Sequence, residues 1–299
     1  MKGTLHPTGP PSLTLYVGLI GTGRHVAARK AAVRATEGAV LAEHLPEATA
    51  AGVIQRREAA LDVVLVSGAA QRRAEVATAA LRQGRHVFLE WPPAASVQEL
   101  ERLAARAEEA GAEGGVSRPL RFHPLFDAVP EGARAQLVTA RARWASGGGP
   151  CQRQALTDAL DLCGVLAGSR GGAAGVRRLD AQAAPPSSDG ADDGADARFG
   201  AVAAGLRFHS GTYATLDLRR ARSNGDESTP PQRRLYAAGP AFELDADLDD
   251  PEGTAREKLL RQETQAFLRA LAAGRPAPVS LLDARPAMRL TERIMQRLR

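Results

Sequence analysis

Residues 13–20 (LTLYVGLI) form an apolar strand that ends in Gly21-Thr22-Gly23 and passes directly into an alanine-rich, helix-compatible stretch over 24–36. This strand–turn–helix succession constrains the fold more than any other feature of the chain. It is the opening of a βαβ unit, and the apolar run 39–42, ending at Glu43, supplies the next strand. The alternation continues with a buried strand over 61–66, the turn Ser67-Gly68-Ala69-Ala70 and a helix over about 73–82. Gly84 then breaks the chain before a strand over 86–89. Ser96 caps a further helix, 97–110, whose Leu100, Leu103, Ala104 and Ala107 make one apolar stripe. Strands alternating with helices at this spacing predict an α/β domain built on a doubly wound parallel sheet.

In such a sheet ligands bind beyond the carboxyl ends of the strands, which is where the glycine turn lies. Gly21 permits the tight turn. Gly23 lets the backbone approach a pyrophosphate seated on the helix N-terminus, with Thr22 and Arg24 on either side. Val26 stands where the fingerprint usually has a third Gly or Ala. Glu43 falls about 20 residues beyond the turn, where an acid accepts the ribose hydroxyls of NAD and repels a 2′-phosphate. Arg24 keeps NADP open. Ser67, Glu90 and Trp91, at the ends of the third and fourth strands, complete the set expected to line the cofactor. An ordinary turn and a solvated acid would explain either feature alone; their spacing within one βαβ unit favours the cofactor.

After about Pro124 the pattern changes. Short alternating or β-rich runs at 138–144, 201–208, 212–218, 234–238 and 241–244 are interrupted by helices at 155–166 and around 256–273. They predict an α+β domain with an open-faced, mainly antiparallel sheet covered on one side. The expected division is a Rossmann domain over 1–123 and a substrate and oligomerisation domain over 124–299, with 184–197 a polar low-complexity loop. A chain of 299 residues is long enough for two such cores. Residues 1–12 are polar and lack the apolar core of a signal peptide, so a disordered lead and a cytoplasmic location are expected. No apolar run approaches the roughly 20 residues of a membrane span. Cys151 and Cys163 cannot build a disulfide framework and have no clustered histidines beside them, so buried thiols and no metal are expected. The net charge of +5 comes from scattered basic residues, and with 4% aromatics no stacking platform for nucleic acid is visible.

The segment Gly84-Arg85-His86-Val87-Phe88-Leu89-Glu90-Trp91-Pro92-Pro93, then Arg121-Phe122-His123-Pro124, and finally 274–280 through Asp283 to Ile294 resemble the Gfo/Idh/MocA oxidoreductases in order and spacing. The resemblance covers nearly the whole chain. It implies an NAD(P)-dependent oxidoreductase acting on a sugar-like or other small carbonyl or alcohol, and a homo-oligomer formed through the C-terminal sheet. The departures are specific. The family's E-K-P lysine is here Trp91, and no shift of alignment restores it, because lysine occurs only as Lys2, Lys30 and Lys258. The family's acid–base histidine lies in a D-x-G-x-H-x-x-D helix; counting back from Leu166-Ala167-Gly168 puts Asp158 in its place, with Gln154 for the first Asp and Asp161 for the last. A further family histidine corresponds to Arg73.

A tryptophan cannot titrate, so the proton of an alcohol–ketone reaction falls to Asp158 or His123. Tyr213 is a possible donor that the sequence does not place. Trp91 could instead stack on a planar ligand. Three readings follow: an oxidoreductase with an altered acid–base site, a cofactor-binding regulatory or partner protein without catalysis, and a reductase of a planar conjugated acceptor, similar to the animal biliverdin reductases, which carry E-Y-P at the lysine position.

Overall fold

The computed structural model describes residues 14–46, 50–52, 54, 60–68, 70–144, 152–168, 175–185, 199–220, 233–248 and 254–298. The lead at 1–12, the loop around 186–197 and Cys151 lie outside them.

The first sheet contains β1 (Leu15–Ile20), β2 (Ala39–Leu45), β3 (Val63–Val66), β4 (His86–Leu89) and β5 (Gly114–Val116), all parallel in the order β2-β1-β3-β4-β5. β3 is buried along its whole length and β1 at all but Tyr16, as their unbroken apolar runs require of central strands covered on both faces. Helices α1 (Arg24–Arg34), α2 (Ala70–Leu81) and α3 (Val97–Glu109) follow the strands. The Ser96 hydroxyl accepts a hydrogen bond from the Glu99 N–H, and Val97, Leu100, Leu103 and Ala107 face the core. That cap contributes about 1 kcal/mol.

The second sheet has the order β11-β10-β6-β9-β8-β7, from β6 (Leu137–Trp144), β7 (Val176–Ala184), β8 (Ala201–Phe208), β9 (Tyr213–Arg220), β10 (Arg233–Gly239) and β11 (Phe242–Asp247). Every pairing is antiparallel except β6 with β9, which is parallel because the chain leaves β6 through a helix and rejoins it after β7 and β8. That helix, α4 (Gln152–Leu166), covers one face with Leu156, Leu160, Cys163 and Leu166. Burial alternates along β8 and β9, so the opposite face is open and carries Leu137, Thr139, Tyr213 and Thr215.

Two C-terminal helices, α5 (Thr254–Ala272) and α6 (Leu281–Arg297), return across the expected dividing line at residue 123. α5 packs on α1 and brings Phe267 to 4.8 Å from the Phe88 ring on β4. α6 packs between α3 and α4, where the Thr157 and Thr291 hydroxyls meet at 2.8 Å. It starts from a capping box of Ser280 and Asp283, and the Val116 N–H donates to the Val279 carbonyl, so the segment entering α6 extends the edge of β5. Among the described residues no helix is long and apolar enough to cross a membrane, and no group of three or more His, Cys, Asp or Glu is placed to hold a metal.

Candidate functional site

The site is built on the strand ends of the first sheet. Gly21 has φ +115°, and a Cβ there would meet the Ser67 carbonyl oxygen at 2.4 Å, so β1 and β3 can close on each other only with glycine at this turn. Gly23 has φ +94° and immediately precedes α1. A Cβ built on it would find nothing within 4 Å. The space over the first N–H groups of α1 is therefore open, and no acidic residue sits in the first turn to oppose an anion. An N-terminus of this kind, with free N–H donors and the positive end of the helix dipole, is suited to a phosphate. Thr22 is exposed beside it; the side chain of Arg24 lies outside the described ones.

The position of Glu43 corrects one expectation. β2 does not end there but runs to Leu45, because a bulge places Leu41 opposite Val17 and Glu43 opposite Gly18. Level with the turn are Leu45, whose carbonyl accepts from the Gly21 N–H at 3.1 Å, and His44, whose Nε2 lies 3.1 Å from the Gly21 carbonyl oxygen. Glu43 is half-buried two residues short of the strand end, and its carboxylate makes no hydrogen bond among the described residues.

Glu90, closing β4, is hydrogen-bonded to His25 Nδ1 in the first turn of α1. Burial opposes its ionisation, but His25, Arg29 and Arg73 outweigh that and hold its carboxyl at about 2. The sequence reading did not single out His25, although it lies two residues past Gly23. Arg73 lies inside α2 rather than opening it. Its guanidinium donates to the carbonyls of Gly68, Glu90 and Pro92 and so clamps the two strand-end turns together. Ser67 is buried at the same rim, its hydroxyl without a partner among the described residues.

Trp91 does not offer an open indole face. The residue is 6% exposed, belongs to the core beneath α3, and has the Arg118 guanidinium 3.2 Å from its ring centroid. Its expected stacking on a planar ligand is corrected accordingly, since an arginine from the end of β5 occupies that face. The Arg118 Nη1 donates to Asp158 Oδ1 on α4 at 3.1 Å. Trp91 and Asp158 are thus bridged by one guanidinium. Burial pushes the Asp158 carboxyl above its ordinary value, against Arg118, Arg233 and Arg256. Arg121 holds Asp161 through two hydrogen bonds of 2.8 and 2.6 Å. Gln154 lies one turn before Asp158 and is half-buried.

His123 makes no hydrogen bond to this group among the described residues. Its Nδ1 accepts from the Leu125 N–H and caps a short 3₁₀ turn, and burial lowers its pKa. Tyr213 is 52% exposed on the open face of the second sheet. Cys163 is a buried thiol that burial pushes up to about 12.

Beneath the site a buried network ties α1 to α5. Arg29 donates to Glu263, Ser117 and Thr264; Glu263 also accepts from the Ser117 hydroxyl at 2.5 Å and the Arg118 N–H at 2.8 Å. Burial pushes Glu263 up to about 7 against the pull of Arg29, Ser117 and the Arg118 N–H. This acid fixes the backbone from which Arg118 projects.

Residues 15–117 match the Gfo/Idh/MocA oxidoreductase family with an NAD-binding Rossmann fold. A stretch of 90 residues, 29% of this chain, is 36% identical to the dehydrogenase aclE of Aspergillus oryzae and spans a quarter of that protein. The whole fold is similar to scyllo-inositol dehydrogenase of Lactobacillus casei, solved with NAD(H) and scyllo-inositol (TM-score 0.75, 13% identity, 95% of this chain and 97% of that one). It is also similar to biliverdin reductase of Synechocystis, solved with biliverdin and NADP+ (TM-score 0.71, 19% identity, 95% and 99%). At these identities the two solved structures establish the fold alone.

Proposed function

We propose, from the premise that residues 15–117 of this chain belong to the Gfo/Idh/MocA oxidoreductase family, that the protein is a cytoplasmic NAD(P)-dependent oxidoreductase of a small carbonyl or alcohol with an altered acid–base centre. The observation that carries the reading is the open cradle over Gly23 at the N-terminus of α1. The α1 N–H groups would hold the pyrophosphate, and Glu43 the adenosine ribose, which favours NAD(H). Thr22, Ser67, Glu90 and Trp91 would line the rest. Bound there, the nicotinamide supplies or accepts a hydride.

This chain's own residues then have two tasks. Arg118, held by Glu263 and Asp158, presents a permanent cation where the substrate oxygen gathers negative charge. Asp158 takes or returns the proton at its carboxyl, with burial moving it towards the pKa such a group needs. His123 has no part in the proposed chemistry.

One observation favours a second reading, a cofactor-binding protein without turnover. Trp91 and Arg118 are packed over each other with little exposure, so the centre is filled by side chains. Fluorescence titration with NADH and NADPH, followed by a screen for turnover, separates the two. Binding with turnover supports the enzyme, and binding without turnover supports the second reading. The open face of the second sheet is proposed as the homo-oligomer contact, which light scattering tests.

A further inference from the structure

Among the described residues, three arginines grip a carboxylate with the Nε and Nη2 edge of the guanidinium: Arg121 on Asp161, Arg219 on Asp217 and Arg234 on Asp245. In Arg118 that edge makes no hydrogen bond among the described residues, although the side chain is only 3% exposed. Nη1 is committed to Asp158 at 3.1 Å. Asp161 Oδ2 lies 3.9 Å from Nε, beyond hydrogen-bonding reach, and is already held by Arg121. A buried charged edge without an acceptor is costly to keep, and side-chain atoms left in that state call for an explanation. Asp161, Asp158 and Glu263 act on this guanidinium as counter-charges and Arg121 as a like charge, so what the edge lacks is a hydrogen-bond acceptor rather than compensating charge.

We propose that the substrate carries a carboxylate beside its reacting carbon and that the Nε and Nη2 edge of Arg118 receives it, making Arg118 the residue that selects the substrate. The proposal rests on the oxidoreductase reading above. A carboxylate presents two oxygens at the spacing of the guanidinium fork, whereas the hydroxyl of a neutral polyol offers one acceptor and no charge. Trp91 supports the guanidinium from its face, and Asp158 and the Glu263-bound backbone fix its direction. A substrate held this way meets its positioning cation from the end of β5 rather than from the turn after β4.

The chain has two tryptophans, Trp91 and Trp144, so in a Trp144→Phe background the emission of Trp91 reports occupancy of Arg118. The probes are lactate with 1,2-propanediol and gluconate with glucitol, titrated into the full chain with and without NAD+. At least one acid is expected to change Trp91 emission saturably, while its neutral partner leaves it unchanged. R118K keeps a charge for Asp158 but lacks the fork. It should weaken the acid roughly 10- to 100-fold, as a rise in KM in any turnover the acid supports. A neutral compound that acts as well as its acid, an R118K variant that binds the acid as the parent does, or no response to either acid at tens of millimolar overturns the proposal. The comparison of acid with neutral partner needs no variant and stands even if R118K folds poorly. Failure of the parent to bind NADH would defeat the oxidoreductase reading separately, because the titrations without cofactor still read Arg118.

Discussion

Replacing Gly23 by valine should abolish cofactor binding while leaving the fold nearly intact. The Cβ enters open space, so there is no clash to unfold the domain; the cost is that of holding a side chain at φ +94°. Such strained positions cost about 1–3 kcal/mol, a fall of roughly 2–12 °C in melting temperature for a chain of this size. The effect on binding is larger, because the new side chain occupies the space through which a phosphate reaches the α1 N–H groups. Losing two charge-assisted hydrogen bonds at about 1.5–3 kcal/mol each corresponds to at least a 100-fold loss of affinity. NADH fluorescence titration and thermal melting of the same samples measure both quantities. Gly21→Ala is the contrasting variant: its Cβ meets the Ser67 carbonyl at 2.4 Å, so fold and binding should fail together. A Gly23→Val protein that melts within this range and binds NADH like the parent would refute the placement of the cradle.

Glu43 should make NADH bind more tightly than NADPH, and equal or tighter NADPH affinity in direct titration would contradict that assignment. Neutral polyols and sugars should be poor substrates, because loss of general acid–base groups costs about 10²- to 10⁴-fold in rate; brisk parent turnover of glucitol would refute this, and Trp91→Lys with Asp158→His is expected to raise the rate. Glu263 binds its proton up to about pH 7 in the folded chain but only to about 4.5 when unfolded, so the folded state holds the extra proton between those values. Stability should therefore fall as pH rises through that window, by at most about 1.4 kcal/mol per pH unit. Glu263→Gln should flatten the slope in denaturant melts, and an unchanged slope would show that Glu263 is not its source.

The parallel sheet was legible because β1 and β3 are unbroken apolar runs and α3 carries its cap and stripe within a few residues. The glycine turn was legible because Gly21, at φ +115° against the Ser67 carbonyl, admits no other residue. Other parts left little local signal. β5 is Gly114-Gly115-Val116, too short and too rich in glycine for a period to register, and with it went Arg118, which β5 delivers. α6 contains Pro286 at its sixth position, past the four N–H groups that lack an intrahelical partner, so the proline argues locally against a helix that tertiary packing nevertheless holds. The bulge in β2 shifts the register by one residue, which alternation alone does not reveal, so the end of the strand was read two residues early. Asp158 could be placed by counting along α4, but its partner comes from a distant strand end, and only the tertiary fold brings the two to 3.1 Å.

The proposed function requires a dinucleotide on the α1 N-terminus, facing a centre where Arg118 and Asp158 act beside Trp91. A crystal structure of the chain grown with NADH tests it most directly. The account predicts the pyrophosphate over Gly23, within hydrogen-bonding distance of the first N–H groups of α1, and the nicotinamide on the Trp91–Arg118 side of the cleft. A dinucleotide bound elsewhere, or a cradle left empty at saturating NADH, would contradict it.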